Sequence, residues 1–229
     1  TYTVPTDARK VELLVIGGGG GGGDTDANGT GTAEGYLGYS GASGQAGGTT
    51  TVTIQGAATI LTATGGQGGS YSWCDGGAGV PCDMGAGHPA GQGLGMLNHG
   101  PGAGGAGGTP GGIAGQTGTS YSTSQIPQGG AHSGYTAGKG GNGCQGGNGN
   151  IGDPGFWPPS WYPGGAGGSG GMATTERTDL AGKALDLTIG AGGVRGATTS
   201  RPIACVIAFS PSTASSSGEP GLIEIKIYK

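Results

Sequence analysis

Lys10-Val-Glu-Leu-Leu-Val-Ile16 runs straight into seven consecutive glycines, Gly17 to Gly23. The first half is apolar and β-branched, as a buried strand requires. The second half lacks any side chain with which to continue a sheet's packing. The rest of the chain repeats these two ingredients. Thr49-Thr-Thr-Val-Thr-Ile-Gln55 and Ala58-Thr-Ile-Leu-Thr-Ala63 flank Gly56 and read as a hairpin. Ala184-Leu-Asp-Leu-Thr-Ile189 alternates and then breaks at Gly190-Ala-Gly-Gly193. Ile203-Ala-Cys-Val-Ile-Ala-Phe209 is continuously apolar, and Leu222-Ile-Glu-Ile-Lys-Ile-Tyr228 sets Glu224 and Lys226 on one face and Ile223, Ile225 and Ile227 on the other. Six strands are therefore expected near the termini, none between 65 and 171, and essentially no α-helix.

Glycine supplies 63 of the 229 residues, against an ordinary usage of about 7 %. Only 32 % of residues are hydrophobic and 10 % charged, which does not suit an ordinary globular enzyme. No stretch approaches the roughly 18 consecutive apolar residues of a membrane helix, and no strict Gly-X-Y register marks collagen. With 9 basic and 13 acidic residues and no basic cluster, neither a nucleic-acid partner nor membrane insertion is expected. A disordered Gly-rich linker is disfavoured by the strand patterns and by a period in the glycines. In Gly138 to Gly152 the larger residues Lys139, Asn142, Gln145, Asn148 and Ile151 fall at every third position. Ala103, Ala106 and Thr109 keep the same spacing, as do Ala166, Ser169 and Met172, and Gln67 and Ser70.

A period of three fits neither a strand nor an α-helix. It fits a left-handed helix of the polyproline II type, which has no internal hydrogen bonds and so points its N–H and C=O groups sideways. Two glycines per triplet let neighbouring helices approach and exchange those bonds. That exchange must offset the large entropy cost of ordering glycine. The expected architecture is all-β and irregular, in one domain spanning 1–229. The N- and C-terminal strands (1–64 and 184–229) build a small antiparallel β-sandwich. Residues 65–183 form a central bundle of polyglycine II-type helices with distal loops.

Most of the aromatic residues lie in less glycine-dense connections. Loops on a rigid scaffold carry binding, and Tyr and Trp give large contact area at low entropic cost. The candidate receptor-binding residues are Tyr71, Trp73, Tyr121, Tyr135, Phe156, Trp157, Trp161 and Tyr162, with the alternative that they cover the bundle ends as a small core. Asp24, Asp26 and Asn28 open a D-x-D-x-N-G pattern with calcium-loop spacing, but Gly35 stands where the bidentate acid belongs; a polar turn is the alternative. No other cofactor is indicated. Cys74 and Cys82 flank a Gly/Pro turn and can pair, although four cysteines allow three connectivities; Cys205 reads as a buried thiol. Gly17 to Gly23 is no phosphate loop, since Asp24 follows where Lys-Ser/Thr is needed, and no catalytic triad or zinc pattern emerges.

The stretch from Thr3-Val-Pro to Lys10-Val-Glu-Leu-Leu-Val-Ile-Gly-Gly-Gly-Gly resembles the opening strand of glycine-rich domains at the ends of bacteriophage tail fibres. So do Gly65-Gly-Gln-Gly-Gly69, Leu187-Thr-Ile-Gly-Ala-Gly-Gly193 with Ala197-Thr-Thr199, and Pro220-Gly-Leu-Ile-Glu-Ile-Lys-Ile-Tyr228. Tail-fibre adhesins of T-even-like phages are similar in carrying a polyglycine-helix sandwich whose distal loops contact outer-membrane receptors. The resemblance implies a non-enzymatic, extracellular, virion-borne host-recognition tip. Its partners would be a bacterial outer-membrane protein or surface glycan, and a tail-fibre shaft protein or its own copies as a trimer. Assembly in a reducing cytosol lowers the expectation of disulfides. Two alternatives stand beside it: a subunit of an extracellular glycine-rich filament or coat, and a glycine-rich cytokine-binding ectodomain similar to anaplastic-lymphoma-kinase-type receptors. Thr1 opens without a secretory signal and reads as mid-protein sequence.

Overall fold

A computed structural model of the chain describes residues 1–23, 39–40, 43–69, 73–74, 112–118, 128–142, 166–196 and 215–229. Among them the strands are β1 (Tyr2–Thr3), β2 (Lys10–Ile16), β3 (Tyr39–Ser40), β4 (Thr50–Ile54), β5 (Thr59–Ala63), β6 (Trp73–Cys74), β7 (Met172–Arg177), β8 (Ala184–Thr188) and β9 (Leu222–Tyr228). They form sheets in the orders β1-β8-β4-β5, β7-β2-β9 and β3-β6, all pairings antiparallel, with no helix among the described residues.

The alternation legible in the sequence is what the sheets use. Val11, Leu13 and Val15 of β2 and Ala173 of β7 share one apolar core with Val52, Leu61, Ala63 and Leu185 from the other large sheet. Ile223, Ile225 and Ile227 pack against that core. The β4–β5 hairpin turns at Gly56, where φ is +73°, a left-handed value that side chains disfavour. Four strands lie outside the expected set: Tyr2–Thr3, Tyr39–Ser40, Trp73–Cys74 and Met172–Arg177. Tyr2–Thr3 is too short to show a pattern. Met172–Arg177 lies within the stretch expected to be bundle and loops, yet it pairs with β2 from Val11 to Ile16. Its sequence, Met-Ala-Thr-Thr-Glu-Arg, offers few apolar residues because β7 is an edge strand. Trp73–Cys74 is likewise a strand between 65 and 171. The apolar run 203–209 lies outside the described residues.

Where the strands reach glycine, pairing continues in the same register. Ile16 stands opposite Met172, and next Gly17 donates to Gly171 and Gly20 to Gly168. Ile16 also faces Leu222, and Gly19 then donates to Glu219 and Gly22 to Ser216. Thr51 faces Thr188, with Gly48 donating to Ala191 and Gln45 to Val194 beyond it. Thr50 faces Ala63; Gly47 then donates to Gly66 and Gly44 to Gly69. In the last case the register carries on to β3 and β6, where Ser40 faces Trp73.

A new dimension opens at Gly17. Up to Ile16 the two large sheets share a core of apolar side chains. Beyond Ile16 those side chains end, and backbone bonds to backbone: Gly18 donates to Gly48, and Gly66 donates to Gly18, both at 2.9 Å. Segment 17–22 donates in threes, to 166–171, 43–49 and 215–221 in turn and then to the same three again. It accepts from 64–69 (Gly66, Gly69), 138–142 (Gly141) and 190–196 (Gly193, Gly196). These six segments also bond to one another in a closed ring. Gly168 donates to Gln67, Gly47 to Gly66, Gly48 to Ala191, Gly218 to Gly193, Ser216 to Asn142 and Gly167 to Gly141. Segments 112–118 and 128–131 lie outside the ring against 166–171.

The ring explains the heptaglycine. A residue encircled by six backbones has no direction in which to point a side chain: a Cβ at Gly18 would overlap the Ala191 carbonyl, one at Gly19 that of Lys139, one at Gly20 that of Gln67. Residues 17–23 are wholly buried, and the N–H groups of Gly17 to Gly22 are each bonded, which buried amides require. Peripheral segments keep one outward position per triplet, and there Ala46, Gln67 and Val194 are exposed.

Candidate recognition end

The bonding register fixes which end of each glycine segment faces the sheets. Gly17, Gly48, Gly66, Gly171 and Gly221 lie toward the sheets. At the other end, Gly22 is bonded to Ser216 and Gly196, and Gly21 to Gln45 and Gly69. Asn142 is bonded to Ser216, while a Cβ at Gly118 would abut Ala166. The described chain therefore leaves at 23, 69, 118, 142 and 196, and returns at 43, 128, 166 and 215, all at the end away from the two large sheets. The described residues that flank 24–42, 119–127, 143–165 and 197–214 all lie there.

That end is finished by short polar side chains. Asn142 Oδ1 accepts the Gly129 amide at 3.1 Å, Ser216 Oγ accepts the Asn142 amide at 2.8 Å, and Ser217 Oγ accepts the Arg195 amide at 3.2 Å. Arg195 Nη1 donates to the Ser215 carbonyl at 3.2 Å. Side chains thus take over backbone partnering where the ring stops, consistent with the cost of leaving such groups unpaired. The sequence signal, unused above, is Ser215-Ser-Ser217 immediately before Gly218.

Tyr71, Tyr121, Phe156, Trp157, Trp161, Tyr162, Asp24, Asp26, Asn28 and Cys82 lie outside the described residues. In the sequence Tyr121 falls within 119–127, Phe156 to Tyr162 within 143–165, and Asp24, Asp26 and Asn28 within 24–42, each between described residues at this end. Trp73 and Cys74 form β6, paired with Tyr39–Ser40 in the register of the 43–49/64–69 pair, beyond Gly44 and Gly69.

Tyr135 stands apart. It closes a turn in which its amide donates to the His132 carbonyl at 3.2 Å, with Gly134 at φ +82°. His132 is buried, a ring nitrogen 2.7 Å from the Gly170 carbonyl, and a Cβ at Gly138 would overlap the Ile16 side chain at the end of β2. The turn therefore sits at the end nearer the two large sheets, and Tyr135 is half-buried there.

Charge collects on the solvent face of β7-β2-β9. Lys10 Nζ bonds Glu12 at 2.5 Å and lies 4.3 Å from the Tyr228 ring centre, while the Tyr228 hydroxyl donates to Glu12 at 2.8 Å. The Lys10 hydrogen bond, and then that of Tyr228, holds the Glu12 carboxyl below its ordinary range. The same contacts raise Lys10 and Tyr228. Arg177 forks onto Asp179 at 2.8 and 2.6 Å and depresses that carboxyl. The Tyr228 contacts tie β9 to β2, while Lys10–Glu12 and Arg177–Asp179 each join residues two apart in the chain. Among the described residues no group of three or more His, Cys, Asp or Glu is placed to hold a metal ion, and no helix is long and apolar enough to cross a membrane.

No family model matches the chain, and no curated protein or solved structure matches it either.

Proposed function

We propose that the protein is a non-enzymatic receptor-binding tip of a bacteriophage tail fibre, attaching to a bacterial outer-membrane protein or surface glycan. In this reading the two large sheets form a β-sandwich, and the glycine segments are polyglycine II helices packed hexagonally. A helix of that kind rises about 3.1 Å per residue and a strand about 3.3 Å, so one can continue the other without losing step. The backbone-bonded block is a stiff post. The stretches bearing Tyr121, Phe156, Trp157, Trp161 and Tyr162 are displayed from its far end, where rigid anchoring limits the ordering cost of association.

The observation that carries the reading is the common anchoring of four separate stretches at one end of the block, opposite the sheets. Exposed Ala46, Gln67 and Val194 at outward positions also suit a block that ends laterally rather than one that grows into a filament.

The test is capture of receptor from bacterial outer-membrane extract by the intact protein and by the Trp157→Ala/Trp161→Ala variant. Loss of capture with an unchanged circular-dichroism spectrum and melting midpoint is expected. Undiminished capture by the variant would remove these aromatics from the function.

A further inference from the structure

Strand β9 borders the β7-β2-β9 sheet, and among the described residues it pairs with β2 alone. Among the described residues nothing pairs with the other edge of its seven residues, which carries neither the proline nor the bulge that usually blunts such an edge. What it offers instead is a pattern. Ile223, Ile225 and Ile227 pack on the core side, and Glu224 and Lys226 stand on the solvent side with side chains 37 % and 60 % exposed. Antiparallel pairing with an identical strand, centred on Ile225, sets Glu224 of each copy opposite Lys226 of the other. It also sets Ile223 opposite Ile227 and Leu222 opposite Tyr228. Both charged pairs are then attractive, and both apolar faces fall on the same side.

We infer that the edge of β9 is a self-association surface, through which two copies join by a two-fold axis into one six-stranded sheet with two reciprocal Glu224–Lys226 pairs. A shift of one residue would send every side chain to the wrong face, and a shift of two would set Glu224 against Glu224 or Lys226 against Lys226. The pattern therefore selects a single register. Within one copy Lys226 Nζ already reaches Glu224 at 3.2 Å, so both groups stay neutralised whether or not the partner is present. Antiparallel joining directs the two glycine blocks away from each other, so that they do not compete for space. The inference is independent of the receptor reading, since it concerns the sheet end only.

The experiment is sedimentation velocity on the intact chain over a range of concentrations. The wild type is expected to form dimers. K226E and E224K each turn two attractive cross-strand pairs into two repulsive ones, which should weaken dimerisation at least about tenfold. The exchange E224K/K226E restores opposite charges across the axis and should restore the dimer. Near-ultraviolet circular dichroism checks that each variant keeps the wild-type fold. A wild type that remains monomeric at the highest concentration, single variants that dimerise as before, or an exchange variant no better than K226E would each overturn the assignment.

Discussion

The hydroxyl of Thr50 donates to the carbonyl of Ile16 at 2.7 Å, joining the first residue of β4 to the last residue of β2. The same oxygen accepts the Gly190 amide at 3.0 Å. Thr50 is fully buried and marks the plane where side-chain packing gives way to backbone bonding. Replacing it by Val keeps the shape and strands a buried carbonyl and a buried N–H. A loss of about 1–3 kcal/mol is expected, read from urea unfolding, with Thr50→Ser retaining most of the stability.

Two glycines separate packing from conformation. At Gly19 a methyl group would overlap the Lys139 carbonyl inside the ring, whereas at Gly56 nothing lies within 4 Å and only the positive φ is costly. Gly56→Ala should cost about 1–2 kcal/mol, the usual left-handed penalty. Gly19→Ala should cost more than about 4 kcal/mol or prevent folding. Soluble yield and denaturation midpoints of the two variants test the contrast.

Hydrogen exchange gives a second view of the same segment. Gly17 to Gly22 lie in no strand, yet each amide is bonded and buried. Their exchange should be as slow as that of β2, near the global unfolding limit. Fast exchange there, with slow exchange in β2, would refute the encircled arrangement.

The Lys10–Glu12–Tyr228 contacts make stability depend on pH in two windows. Glu12 and Asp179 are depressed in the fold, so their contribution is present above their unfolded values near 4.5 and 3.8 and is lost as pH falls through the lower folded values. Lys10 and Tyr228 are raised, so theirs is present below about 10 and is lost as pH rises through the folded values. Stability should be level between roughly pH 5 and 10 and decline on both sides. Because the pairs are exposed the slopes should be shallow, and Glu12→Gln should flatten the acid one in a urea-midpoint profile.

Much of this was written in the residues. Alternation placed β2, β4, β5, β8 and β9 within a residue or so, because each buries one face. The spacing of Lys139 and Asn142, and of Ala166 and Ser169, shows up in bonds that advance by three. Met172–Arg177 escaped notice because an edge strand half open to water needs little apolar content; its place comes from β2. That Gly17 to Gly23 is the encircled segment follows from partners up to two hundred residues away, although the absence of any third-position side chain was the local hint. Composition does not reveal that the turn bearing Tyr135 lies near the end of β2, because it does not say which way a segment runs. That direction emerges only once the ring is closed.

Cohesion in the ringed block comes from amides, which every residue possesses, and its outward positions accept Ala, Gln or Val alike. Selection acting on the stretches rooted at its far end therefore meets little resistance from the scaffold. Length, sequence and even charge there can drift or be exchanged wholesale at small thermodynamic penalty. Such a framework favours rapid diversification of whatever is mounted on it.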